Sequence, residues 1–242
     1  MIISRTPFRV SFFGGGTDFP EFYAQHGGSV LTTTVDKFCY ITIHRLAPFF
    51  KYRIKANYAR TETVMSPSEI QHPLIRESLL MTGVTDGVEI AHVSDLPGRT
   101  GLGTSSAFTV GLLHALHVFQ EKRVTPDQLA REAVIIERER VCDPGGHQDQ
   151  YAAAYGGLLR LDFSGANQVT VKHLAVSSDR IDELQGHLMM FYTGMEQSAD
   201  HILAEQKNQV KKNIPALLEM LKIVDEAEHI LTGTADLRRF GE

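Results

Sequence analysis

The chain has 242 residues, 43% of them hydrophobic and 22% charged, enough for a packed core in one large domain or two modest ones. A net charge of -5, with no run of Lys and Arg interleaved with aromatics, argues against a nucleic-acid partner. Cys39 and Cys142 are too few for a disulfide framework or a four-cysteine zinc site. No stretch approaches the roughly 18 consecutive apolar residues of a membrane span, and no secretory pattern opens the chain, so a cytoplasmic protein is expected.

In chain order, Ile2 to Phe13 reads as a strand running into the tight loop Gly14-Gly15-Gly16-Thr17-Asp18. Thr17 or Asp18 can cap a short helix from Pro20 that stops at Gly27-Gly28. Ser29 to Asp36, Phe38 to His44 and Phe50 to Ala56 are β-branched and aromatic and suggest an antiparallel meander. Leu74 to Met81 is a helical patch, and Val88 to Val93 a strand. A Gly- and Ser-rich loop then opens into an apolar helix, Thr104 to Phe119. A second helix, Pro126 to Val141, places Leu129, Ala133, Ile136 and the stem of Arg140 on one face. After the break at Asp143-Pro144-Gly145-Gly146 come a helix, Gln148 to Ala154, and strands Leu158 to Asp162 and Val169 to His173. The polar stretch 179–186 reads as a turn and a soft boundary, followed by a buried strand at Leu188 to Tyr192 and helices at Ser198 to Val210 and Ile214 to Leu231. Domains 1–180 and 181–242 are therefore expected.

The run Pro97-Gly98-Arg99-Thr100-Gly101-Leu102-Gly103-Thr104-Ser105-Ser106-Ala107 combines glycines for close backbone approach with hydroxyls at a helix N-terminus. Helix-terminal N–H groups attract phosphate, and a hydroxyl can add a magnesium ligand. It is not a Walker A loop, because no Lys follows the last glycine, and taken alone it could be a plain N-cap loop.

This run resembles the second motif of the GHMP kinases, whose pattern is Pro followed by Gly-Leu-Gly-Ser-Ser-Ala. Pro7 to Asp18 looks like the first motif of the same family, in the right order. The resemblance implies an α+β fold: a ribosomal protein S5 domain 2-like N-terminal domain and an incomplete ferredoxin-like C-terminal one. It also implies ATP and Mg2+ as cofactors. Asp149, in Gly146-His147-Gln148-Asp149-Gln150, matches the family's catalytic aspartate, and Arg9 the arginine that sits beside it to steady transition-state charge. Glu137 matches the glutamate that reaches magnesium, with Ser106 as the other protein ligand. Asp18 matches the sugar-binding aspartate, with Gly15, Gly16, Thr17 and His147 as further substrate contacts.

Read without the family, Asp149 and Asp18 are helix-terminal caps, and Arg9 is a surface arginine. Arg138 and Glu139 form a solvated face, while His92, His173 and His187 are half-buried structural residues. The phrases Arg5 to Asp18, Gly28 to Asp36 and Gln148 to Gly157 are most similar to the bacterial D-glycero-D-manno-heptose 7-phosphate kinases, which phosphorylate an anomeric hydroxyl for surface polysaccharide synthesis. Galactokinases carry Gly-Glu-His-Thr-Asp where this chain has Gly14-Gly15-Gly16-Thr17-Asp18, so bare backbone replaces two polar contacts. The family's third glycine-rich motif is not found, so the chain reads as truncated, and apolar surface along Ile214 to Leu231 is expected to be exposed. A sugar or sugar phosphate is the expected partner, a homodimer is compatible, and a non-catalytic sugar sensor is the competing class.

Overall fold

A computed structural model describes residues 1–98, 100–165, 167–191 and 209–242. The elements are β1 (Ile2–Phe13), α1 (Pro20–His26), β2 (Gly28–Arg45), β3 (Ile54–Asn57), β4 (Thr61–Val64), α2 (Pro73–Thr82), β5 (Val88–Ser94) and α3 (Thr104–Phe119). They continue with α4 (Pro126–Val134), a π-helical segment (Ile135–Arg140), α5 (Gln148–Tyr155), β6 (Leu158–Ser164), β7 (Gln168–His173), α6 (Ser178–His187) and α7 (Ile214–Thr232). Helices and a mainly antiparallel sheet make this an α+β fold. No helix among the described residues is long and apolar enough to cross a membrane.

The chain divides into two compact units, Met1–Arg9 with Thr34–Gly156, and Val10–Thr33 with Gly157–Glu242. In the first unit, Cys39, Ile41 and Ile43 of β2 alternate inward and pair antiparallel with β5, from Cys39↔Ser94 to Arg45↔Val88. β5 pairs in parallel with β3, and β3 closes an antiparallel hairpin with β4. Over this sheet lies α3, buried almost all round through Ala107, Phe108, Leu112, Leu113, Ala115 and Leu116, as its lack of a polar face requires. Gly111 lets β1 approach the helix: a Cβ there would stand 2.6 Å from Thr6 Oγ1, and Ser4 Oγ donates to Gly111 O at 2.8 Å.

In the second unit, Gly28 to Thr33 of β2 pair antiparallel with β6, and β6 with β7. Leu31, Val224, Ile230, Leu231 and Phe240 form its core with Phe12 and Phe13, and Phe19, Phe22 and Val210 form a smaller cluster. Arg160 joins Asp162, Asp225 and Glu228, and Lys172 also reaches Glu228.

Several sequence expectations are corrected. The meander is interrupted by the parallel β3–β5 pair, and β4 was not foreseen. β2 runs unbroken through Asp36 and Lys37, because exposed polar side chains do not prevent an extended backbone from continuing. Phe50 lies in an exposed turn rather than in β3. Residues 179–186 form most of α6, which Ser177 caps by accepting from Arg180 N at 3.3 Å. Residues 188–191 form no strand, and Met189 is 82% exposed. Tyr192 and nearly all of the expected Ser198 to Val210 helix lie outside the described residues. Along α7, Leu218 and Ile223 are exposed, whereas Val224, Ala227, Ile230 and Leu231 are buried. Phe19, not Thr17 or Asp18, occupies the N-cap of α1, with no side-chain bond.

Candidate functional site

In the first unit the loop before α3 is built by two left-handed glycines, Gly101 (φ 76°) and Gly103 (φ 69°). Gly103 is the N-cap of α3 and carries no capping side chain, so the first N–H groups of the helix keep no side-chain partner and face the loop. Arg9 N donates to Leu102 O at 3.1 Å and Arg9 Nη1 to Gly101 O at 2.7 Å, so β1 holds the loop from below. Ser105 is exposed, Ser106 and Ala107 are buried, and Pro97 and Gly98 lead in along the surface.

Arg9 also reaches the first turn of α5. Its Nε donates to Asp149 Oδ1 at 2.7 Å, and its Nη2 lies 2.6 Å from the same oxygen. Asp149 Oδ2 is left facing the loop: a Cβ on Gly103 would sit 3.4 Å from it and 3.2 Å from Arg9 Cγ. The unit thus brings together an uncapped helix N-terminus, a cation and a carboxylate, which is what phosphoryl transfer to a hydroxyl requires.

Glu137 is 1% exposed and lies in the π-helical segment in which Val141 N bonds Ile136 O at 2.9 Å. This widened turn departs from the expected helical face: Leu129, Ala133 and Ile136 stay buried, Glu137 joins them, and Arg140 is exposed. Ser106 Oγ and Gln150 Nε2 both donate to Glu137 Oε2, at 2.8 and 2.7 Å. Its Oε1 accepts no hydrogen bond among the described residues, the nearby Thr109 hydroxyl being directed to Ser105 O. Burial pushes the Glu137 carboxyl above its ordinary range, against the opposing pull of Arg138 and of the hydrogen bonds from Ser106 and Gln150.

A buried orphan carboxylate oxygen beside a hydroxyl that donates away its proton, and so offers lone pairs, fits a hard cation. Among the described residues no group of three or more His, Cys, Asp or Glu is placed to hold a metal ion. The donor set therefore suits an ion that takes its remaining ligands from phosphate and water, as Mg2+ does.

The remaining candidates belong elsewhere or serve local roles. His147 is the N-cap residue of α5 and is only 5% exposed. Thr17, Asp18, Gly15 and Gly16 lie in the second unit, where the Thr17 hydroxyl lies 2.8 Å from Gly14 O and 2.9 Å from Ser29 O. Asp18 is 1% exposed, and its Oδ1 accepts from Gly16 N at 3.0 Å. Gly14 and Gly16 have positive φ, and a Cβ on Gly14 would overlap Ser29 O, so backbone geometry explains both. Gly15 is exposed, and its nearest neighbour, Ser11 Oγ, would be 3.9 Å from a Cβ. His173 and His187 are exposed, not half-buried, whereas His92 packs edge-on against Phe108 at 5.0 Å.

Residues 72–157, which include the loop, Glu137 and Asp149, match the family described as GHMP kinases N terminal domain. Over that stretch the chain is similar to the N-terminal domain of the GHMP kinases. Similar proteins are a D-glycero-alpha-D-manno-heptose 7-phosphate kinase of Campylobacter jejuni and a galactokinase of Pyrococcus furiosus. The first is 25% identical over 89% of this chain and 67% of its own length, the second 24% over 89% and 60%. A solved D-glycero-D-manno-heptose 1-phosphate kinase from Bacteroides thetaiotaomicron has a TM-score of 0.74 at 27% identity, covering 94% of this chain and 75% of that one.

Two members of the site were not legible in the sequence. Gln150 has no charge to mark it, yet it is fully buried against Glu137. Arg138, expected on a solvated face, has a side chain only 16% exposed. The signal that could have found Arg138 is the glycine-rich turn after it, which offers backbone carbonyls within a guanidinium's reach.

Proposed function

We propose that the protein transfers the γ-phosphoryl group of ATP to a sugar or sugar phosphate, with the anomeric hydroxyl of D-glycero-D-manno-heptose 7-phosphate as the acceptor of choice. The single observation that carries this reading is the Arg9–Asp149 pair seated against Gly101 and Gly103 at the mouth of α3. Similarity to sugar kinases, heptose 7-phosphate kinase among them, supports the choice of acceptor. Galactose and fucose are the competing acceptors, since a galactokinase and a bifunctional fucokinase are similar to the chain at comparable identity.

In this reading the N–H groups of Thr104, Ser105 and Ser106 bind nucleotide phosphate. Asp149 orients the acceptor hydroxyl and takes its proton on Oδ2, because Oδ1 is occupied by Arg9. Arg9 also faces the charge that spreads over the transferring group. Ser106 Oγ and Glu137 Oε1 would hold Mg2+, which when bound neutralises phosphate charge. Asp18, Gly15, Gly16, Thr17 and His147 are retained as proposed sugar contacts, Gly15 being the glycine whose backbone is open. A cytoplasmic location and a place in nucleotide-activated heptose synthesis for surface polysaccharide follow from the same reading.

The test is a phosphoryl-transfer assay with ATP and Mg2+ over heptose 7-phosphate, heptose 1-phosphate, galactose and fucose. Preference for heptose 7-phosphate is expected. Preference for galactose or fucose overturns the acceptor, and ATP-dependent phosphorylation of none of them overturns the activity.

A further inference from the structure

Arg138 follows the metal-side carboxylate in sequence and points at the turn that leads to the base. Its Nε donates to Gly146 O at 3.1 Å, and its Nη1 to Asp143 O at 3.3 Å and Pro144 O at 3.2 Å. Its Nη2 stands 3.8 Å from Glu137 Oε2. Asp143 N donates back to Glu137 O at 2.8 Å, closing the turn on the π-helical segment. Gly145 has φ 138°, and a Cβ there would lie 3.1 Å from Arg138 Nη2, so the turn is shaped around the guanidinium. Three residues past Gly146 comes Asp149, and next to it Gln150, which grips Glu137.

We propose that Arg138 is a positioning residue that fixes the 143–146 turn to Glu137 and thereby sets the spacing between the metal-side carboxylate and Asp149. A single planar fork satisfies the carbonyls of Asp143, Pro144 and Gly146 while keeping a positive charge beside a buried carboxylate. Lys, a point donor on a flexible stem, can match the charge but not the fork. The cost of losing it is misplacement: displacement of a catalytic group by about 1 Å is worth on the order of 100-fold in rate. Arg138 touches neither nucleotide nor acceptor in this account, so binding of both is spared.

The inference rests on the kinase reading for its kinetic test, and a second measurement is independent of that reading. Arg138→Lys, assayed well below its melting temperature, is expected to lose about 10- to 100-fold in kcat, with KM for ATP and sugar changed less than about twofold. Wild-type kcat in this variant overturns the proposal, as does a loss of ATP binding equal to the loss of kcat. Hydrogen exchange at the amides of residues 145–150 reads the same claim without turnover. Exchange about tenfold or more faster in Arg138→Lys supports it, and unchanged exchange overturns it. Should the wild-type chain phosphorylate no sugar, the functional reading falls and exchange alone decides the role of Arg138.

Discussion

Arg9 and Asp149, 140 positions apart in sequence, meet through two guanidinium nitrogens on one carboxylate oxygen, at 2.7 and 2.6 Å. The other oxygen, Oδ2, faces the Gly103 turn. Asp149→Asn keeps this shape and removes the proton acceptor, so kcat should fall by about 10²- to 10⁴-fold while ATP binding persists. A loss below tenfold would remove Asp149 from the role of base.

Gly103→Ala should disturb the same place by sterics alone. It forces a side chain into the left-handed region, at about 1–2 kcal/mol, and sets its Cβ 3.2 Å from Arg9 Cγ. The melting temperature should drop by several degrees, and KM for ATP should rise by tenfold or more, measured by thermal unfolding and steady-state kinetics.

Glu137→Gln separates stability from function. Burial raises the folded-state value of Glu137 above its ordinary 4.5, so its favourable contribution is fully present below that value and is lost as pH rises through the folded-state value. At pH 7 in chelator, the amide variant should therefore melt at or above the wild-type temperature. Wild type should gain stability from Mg-ATP and the variant should gain little, with turnover falling by 100-fold or more. A variant less stable than wild type in chelator at pH 7 would contradict this.

In the second unit, Glu228 behaves in the opposite way. Burial raises its carboxyl, but hydrogen bonds from Lys172 and Arg160 outweigh burial and hold it below its ordinary 4.5. A depressed value stabilises above the unfolded value, and that stability is lost as pH falls through the folded one. Glu228→Gln should cost about 1–2 kcal/mol, or a few degrees of melting temperature, at pH 7. The gap to wild type should close as pH drops below about 4. A gap independent of pH would show that the loss is one of packing.

Elements whose signals are local were legible in advance. The α3 boundaries follow from Gly103 before an apolar run, and β1 from its β-rich composition up to Gly14. The resemblance to the family's motifs names Arg9, Ser106, Glu137 and Asp149, and the first unit holds Arg9 against Asp149 and Ser106 against Glu137. The parallel β3–β5 pair was missed because strand direction depends on a partner distant in the chain, and β4 because four residues give too short a period to detect. Residues 179–186 misled because their polar composition suits an exposed helix as well as a turn.

By itself the sequence determined which groups are present: a glycine-built loop before a helix, one cation, two carboxylates and a hydroxyl, in an order that resembles the GHMP kinase motifs. Tertiary structure alone decided their orientation. A helical period predicts Arg140 on the buried face, yet Arg140 is exposed at the end of the widened π turn, and Gln150 and the half-buried Arg138 close on Glu137. The reason is physical: burial of a charge is set by the donors that surround it in space, and those come from α3, α5 and the 143–146 turn, which a local pattern in α4 cannot register.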